Sequence, residues 1–261
     1  IKEFLRAEKI LMEIIESKEN ENLMTLAIFE IAKILESKII INKTLLPISN
    51  YHSNNPFLSS PYLPVKESST IILDKAMNIY DSLRVTKKNA QASYRLAEVQ
   101  FRILGDLDGA YYLYNEAYSH GNTEGLRLDA ALGMINIYIS KGDLNKTEKL
   151  IKELKKENQN KIEFELKLAQ INFYKGNLIE TEKMIKTIIK DLPSNHLMFN
   201  DMLNIISILI AFKNNEEEFG TFANIQLNIQ QNNRIEAIEK LIKLFDSNEI
   251  YISEMCKFQQ A

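Results

Sequence analysis

One recurring spacing constrains this chain more than any other feature. A small residue is followed by a large apolar residue four positions on, then by an apolar or small residue three further. The set reads Ala7, Leu11, Ile14; then Ala76, Tyr80, Leu83; then Ala110, Tyr114, Ala117. It continues as Thr147, Ile151, Leu154; then Thr181, Ile185, Ile188; and finally Ala237, Leu241, Leu244. Offsets of four and seven place all three residues on one face of a helix. Many amphipathic helices would match one such set, and the turn in front makes this one specific. Five residues before the small residue stand Gly105, Gly142, Gly176 and Asn232, followed by Asp106, Asp143, Asn177 and Asn233. Gly or Asn accepts the left-handed conformation that closes a helix. Asp or Asn then caps the next helix. Each unit is therefore predicted to be a helix, a tight turn and a second helix.

The intervals test this reading. Ala76 to Ala110 and Thr147 to Thr181 are both 34 residues, and Ala110 to Thr147 is 37. These residues resemble the tetratricopeptide repeat family, whose period is about 34 residues. The resemblance rests on Leu96-Ala97 through Gly105-Asp106 to Ala110, Tyr114 and Ala117. It rests also on Leu168-Ala169 through Gly176-Asn177 to Thr181 and Ile185, with Pro193 at the family's usual proline position. It implies an all-α fold, a right-handed α-solenoid of helix-turn-helix repeats. The first helices depart from the family pattern, since Leu132-Gly133 lies further from its turn glycine than the motif expects.

Two intervals are long. Ala7 to Ala76 is 69 residues and Thr181 to Ala237 is 56. The expected organisation is therefore repeat-like helices over 1–41, a Pro/Ser/Asn-rich insertion over 42–68 and repeats over 69–195. An extra helix over 196–213 follows, then a last repeat and the start of a further helix over 214–261. Within this, Leu23–Leu35 and Ser69–Leu83 form one helix pair, and the extra helix spans roughly Leu197–Phe212. Both ends are expected to continue into further repeats of a larger bacterial protein.

Composition bears on function mainly by exclusion. With 32 basic and 35 acidic residues, the formal charge is -3. Lys and Glu are mixed along the helices, which argues against a nucleic-acid partner and against a polybasic membrane patch. The longest apolar stretch, Met202–Phe212, is too short to cross a bilayer, so no direct membrane insertion is expected. Cys256 is the one cysteine, which excludes an intrachain disulfide and a Cys-based metal cluster. The compartment is left open between cytoplasm and bacterial envelope, and the oligomeric state is not encoded in these features.

Chemistry-bearing motifs are scarce. His52, His120 and His196 form no ligand pair. Asp106, Asp108 and Gly109 lack the further oxygen ligands of a calcium loop and belong to a repeat turn. Glu216–Glu218 suit a helix start. No phosphate loop, nucleophile elbow or zinc motif occurs. No cofactor, metal or catalytic residue is expected, and the chain is read as a non-enzyme. The insertion holds Pro47, Pro56, Pro61 and Pro64 with Tyr51, His52, Phe57 and Tyr62. It is either an arm that touches a partner, or a loop that packs its aromatics on its own solenoid or extends into solvent.

By resemblance to the family, the first helices line a concave ligand face. That face includes Arg95, Val99 and Arg102, then Asn136, Ile139 and Ser140. Gln170, Phe173 and Tyr174 follow, then Phe222, Gln226 and Ile229. The expected partner-binding residues are Arg95, Arg102, Asn136, Gln170, Tyr174, Phe222 and Gln226. The amides match the donor and acceptor of an extended peptide backbone. The family's carboxylate clamp is not reproduced. The expected role is a protein-interaction scaffold for a peptide or folded partner. Its alternatives are a peptide-sensing domain of a larger regulator and the regulatory arm of an enzyme.

Overall fold

The structure is a computed structural model and describes residues 2–18, 20–39, 55–63, 69–157, 162–196, 198–245 and 250–260. Every regular element among them is helical. In chain order these are α1 Lys2–Ser17, α2 Glu21–Ser37, α3 Thr70–Lys87, α4 Ala90–Val99 and α5 Leu107–His120. They continue as α6 Glu124–Ser140, α7 Leu144–Glu157, α8 Ile162–Tyr174 and α9 Leu178–Asp191. The last are α10 Phe199–Ala211, α11 Glu216–Gln230, α12 Arg234–Lys243 and α13 Ile250–Gln260. A π-helical turn, Gln100–Leu104, extends α4. The fold is an all-α helical-repeat solenoid.

The turns are built as the spacing predicts. Gly105, Gly142, Gly176 and Asn232 have φ of +70°, +73°, +75° and +62°. This left-handed residue lets the next amide fold back onto the helix just ended. Asp143 N–H donates to Tyr138 O (3.1 Å), Asn177 N–H to Asn172 O (3.0 Å) and Asn233 N–H to Asn228 O (2.8 Å). At Gly105 the loop closes one residue wider, from Asp106 N–H to Gln100 O at 2.9 Å. The π turn supplies that extra residue. It also explains why Ala97 stands one residue further from its turn glycine than Ala169 does.

Capping follows expectation at two of the four turns. Asp106 Oδ1 accepts from Gly109 N–H at 3.0 Å, and Asp143 Oδ1 from Lys146 N–H at 3.1 Å. Asn177 and Asn233 do not cap α9 and α12 with their side chains. Their Nδ2 groups instead donate backwards, to Asn172 Oδ1 (3.1 Å) and Asn228 Oδ1 (3.4 Å). An amide, unlike a carboxylate, carries donors, and here the preceding helix offers an acceptor.

The recurring triads are the packed faces of α3, α5, α7, α9 and α12. Ala76, Ala110, Thr147, Thr181 and Ala237 are buried, as are Tyr80, Tyr114, Ile151, Ile185 and Leu241. The triad of α1 is only half-buried at Ala7, Leu11 and Ile14.

The chain divides into two compact units, and the division falls within α6. The first comprises Ile1–Thr44 and Tyr62–Met134. In it α1 packs on α2, α2 on α3, α3 on α4 and α4 on α5. Ile39, Leu73, Ala76 and Val99 form a buried cluster extended by Leu35, Ile72, Met77 and Ile103. Gly133 has a packing role here: a Cβ at that position would lie 2.5 Å from the Tyr114 ring.

The second unit comprises Leu45–Pro61 and Ile135–Ala261. Here α7 packs on α8, α8 on α9, α9 on α10, and α11 on α12. Helix α8 also meets α11, and α13 meets both α10 and α12. The core is aromatic. Phe173 stands edge-on to Phe219 with ring centroids 5.4 Å apart and to Phe222 at 6.2 Å, while Phe212 meets Phe219 at 5.7 Å. Edge-to-face contacts of this kind add to the area each ring buries.

Candidate functional site

Helix α8 is buried on almost every side. Phe164, Leu166, Ala169, Gln170, Ile171, Phe173 and Tyr174 are all buried. A helix with polar residues at such positions must satisfy them. Gln170 and Tyr174, four residues apart on one face, do so against residues 55–60 of the insertion. Gln170 Nε2 donates to Pro56 O at 2.6 Å and to Tyr174 Oη at 2.8 Å. The Tyr174 hydroxyl lies 3.3 Å from Pro56 O and 3.2 Å from Phe57 O. From α11, Gln230 Nε2 donates to Ser59 O at 2.6 Å. Backbone carbonyls with no helical or strand partner are thus met by amide and phenol donors.

The segment itself is a compact turn. Asn55 Oδ1 accepts from Phe57 N–H at 3.0 Å, and Asn55 O accepts from the amides of Leu58 and Ser59 at 2.9 Å each. Asn55 Nδ2 donates to Asp201 O on α10 at 3.0 Å. Proline at the second position presets its own φ for such a turn. Asn55, Phe57 and Leu58 are 0%, 1% and 4% exposed. The Phe57 ring meets Phe173 edge-on, centroids 5.5 Å apart.

Lys167 stands behind Gln170. Its Nζ donates to Gln170 Oε1 at 2.8 Å and to Asn136 Oδ1 at 2.7 Å. That bond holds the Gln170 amide with its Nε2 towards Pro56. Among the described residues no carboxylate faces Lys167, and desolvation pushes its pKa down to about 8. The consequence for stability has a definite sign. A lysine whose folded pKa is depressed gives up its proton in the folded chain before the unfolded chain does, at 10.5. Stability is therefore expected to rise with pH between about 8 and 10.5. Lys167→Met should flatten that slope, which urea midpoints measured across the window would show.

The expected partner-binding residues fall in two sets. Asn136, Gln170, Tyr174, Phe222 and Gln226 belong to the second unit, where Gln170 and Tyr174 hold residues 55–60 and Asn136 anchors Lys167. Phe222 and Gln226 are fully buried on α11. Arg95 and Arg102 belong to the first unit and are engaged there. Arg95 Nε donates to Glu36 Oε2 at 3.2 Å, and its Nη2 forms an ion pair with Glu36 Oε1. Arg102 pairs with Glu98 at 3.2 Å, and its carbonyl accepts from Leu63 N–H at 2.8 Å. Tyr62 packs edge-on against Phe101 in the same unit, centroids 5.7 Å apart.

Phe57 and Tyr62 therefore follow the second reading of the insertion, packing on the chain's own helices. Pro47, Tyr51, His52 and Pro64 lie outside the described residues. Sequence reasoning did not single out Lys167, Gln230 or Asn55. The Asn-Pro dipeptide was an available turn signal for Asn55. A lone lysine within an apolar helix was the signal for Lys167.

Other reactive groups have local explanations. His120 Nδ1 lies 3.1 Å from Glu116 O at the end of α5, and His196 Nδ1 accepts from Met198 N–H at 3.2 Å. Among the described residues no three His, Cys, Asp or Glu side chains converge as a metal site, and no helix is long and apolar enough to cross a membrane. Cys256 is buried on α13, and burial, with Glu218 nearby, pushes its thiol up to about 12. A thiol so protonated is a poor nucleophile. Native-state alkylation of Cys256 by iodoacetamide is expected to be slower by about two orders of magnitude than in urea-unfolded chain, as mass spectrometry would follow.

The comparison that bears on the fold is structural. A crystal structure of a tetratricopeptide repeat protein from Parabacteroides merdae superposes with a TM-score of 0.53 over 99% of this chain and 93% of that one, at 15% identity. The fold is tetratricopeptide-like. At that identity the likeness carries architecture alone. No family sequence model and no curated protein sequence matches the chain. The tetratricopeptide-like turns, with left-handed Gly or Asn before the second helix, are the local counterpart of this likeness.

Proposed function

We propose that this chain is a protein-interaction module without catalytic activity, and that its second unit receives a peptide segment of a partner on the face of α8 and α11. One observation carries the reading. That face already holds an irregular backbone segment by its carbonyls, through Gln170, Tyr174 and Gln230. Amide and phenol donors aimed at main-chain acceptors grip a peptide by its backbone, while Phe173 meets the segment's Phe57 edge-on. Asn136 belongs to the proposed site through Lys167, and Gln226 through its place on α11. In the first unit Arg95 and Arg102 keep 33% and 38% of their side chains exposed beside Glu36 and Glu98. Arg95 engages Glu36 through Nε and Nη2, and a guanidinium has five N–H donors with which to meet a partner's carboxylate as well.

The test is affinity capture from the source organism with the full chain, alongside Gln170→Ala/Tyr174→Phe and Arg95→Ala/Arg102→Ala variants of checked helix content. Loss of a captured partner with the first pair supports the α8–α11 face. Unchanged recovery with both pairs moves the binding surface elsewhere.

A further inference from the structure

The geometry points to a receptor for one kind of peptide: a turn of the Asn-Pro-Phe-Leu type, filled in cis by residues 55–58 and open in trans to a partner segment that carries the same turn. This rests on the reading above and deepens it by naming the ligand's chemistry.

Four features make the site a receptor rather than a patch that happens to be covered. Each element of the turn has its own reader. The Asn55 side-chain amide is read by Asp201 O, the Pro56 and Phe57 carbonyls by Gln170 and Tyr174, and the Ser59 carbonyl by Gln230. The Phe57 side chain is a fully buried anchor against Phe173, the kind of aromatic residue on which interface energy concentrates. Every reader comes from α8, α10 or α11, so the site does not depend on chain continuity with the segment it holds. And the key donor is preset: Lys167 Nζ holds Gln170 Oε1 from behind, so Nε2 faces the ligand carbonyl with little reorganisation.

The turn is also self-contained. Its Asx bond from Phe57 N–H to Asn55 Oδ1 and its backbone bonds to Asn55 O lie within residues 55–59. A short peptide carries all of that information. Specificity follows from the burial of Asn55 and Phe57: alanine at the first would remove the Nδ2 bond to Asp201 O and the Oδ1 bond from Phe57 N–H, and alanine at the second would leave a cavity beside Phe173. The tethered copy competes at high effective concentration, so a partner's turn binds strongly only when the cis segment is weakened or outnumbered.

The probe is a fluorescein-labelled synthetic peptide of residues 53–62, titrated by fluorescence anisotropy. It is titrated against the full chain, against Asn55→Ala/Phe57→Ala and against the milder Asn55→Ala, with circular dichroism confirming helix content. A folded variant should bind the peptide about tenfold or more tightly than the unchanged chain does. A peptide with Ala at the Asn and Phe positions should bind about tenfold or more weakly. Adding Gln170→Ala/Gln230→Ala to the variant should remove binding. On the unchanged chain, excess peptide should speed proteolytic cleavage within 55–60. Equal affinities for variant and unchanged chain, equal affinities for the two peptides, absence of saturable binding, or cleavage indifferent to peptide each overturns the proposal and makes residues 55–60 a structural strap. If peptide binding fails while Gln170→Ala/Tyr174→Phe still loses a captured partner, the α8–α11 face stands as an interaction surface and only the turn chemistry is refuted.

Discussion

Replacing Phe57 by alanine is expected to destabilise the second unit by about 3–4 kcal/mol, the range for truncating a buried phenylalanine. The ring is 1% exposed and stands edge-on to Phe173, 5.5 Å between centroids. Its removal deletes that contact and leaves a cavity beside Phe173, whose place is fixed by further rings. Phe173 also meets Phe219 and Phe222, and Phe219 meets Phe212, so collapse around the void would disturb several pairs at once. Poor relaxation puts the cost in the upper part of the known range. Leu58 and Asn55 would lose their neighbour in the turn as well. Urea unfolding, with hydrogen exchange to assign the loss to α8 and α11, measures the effect. A change under about 1 kcal/mol would mean that Phe57 adds little to the unit, contrary to its burial.

Glu36→Ala is expected to cost the first unit about 3 kcal/mol, because it breaks a desolvated ion pair from one side. Glu36 is 7% exposed and accepts from three groups: Arg95 Nε at 3.2 Å, Arg95 Nη2, and Tyr80 Oη at 2.8 Å. Burial of Arg95 disfavours its charge, but the Glu36 carboxylate more than offsets this and raises its pKa. Burial, with the facing carboxylate, holds the Tyr80 hydroxyl far above the ordinary phenol range. Alanine would leave the fully buried Tyr80 phenol without its carboxylate acceptor and the partly buried Arg95 guanidinium without its counter-charge. Glu36→Gln keeps an acceptor oxygen and removes the charge, so it should cost roughly half as much. Urea midpoints that rank Ala and Gln equally would locate the effect in volume rather than in the lost acceptor.

These two residues also show what could and could not be read from the sequence. The turn and triad residues were legible because their signal is local. Left-handed glycines, the capping Asp106 and Asp143, and small residues four positions from large ones depend on a few neighbouring residues. The exceptions were local too, and finer. Asn177 and Asn233 turned their amides back to Asn172 and Asn228 rather than forward. One π turn at Gln100–Leu104 shifted a register by a residue. Gln170 and Tyr174 were legible as one face, by their spacing of four, and so were Phe222 and Gln226. What occupies that face was not legible, because Pro56 is 114 residues from Gln170 in the chain. Glu36 was likewise silent: its partner Arg95 lies 59 residues away.

The repeated helix-turn-helix unit and its period are written in neighbouring residues, since both follow from backbone sterics and helical spacing. The tertiary structure decided which polar residues are engaged within the chain, and by what. An amide or phenol on an inner helix face is an open donor or a used one according to what packs over it. Here residues 55–60 meet donors of α8 and α11, and Glu36 meets Arg95, through contacts between distant segments that no local pattern encodes.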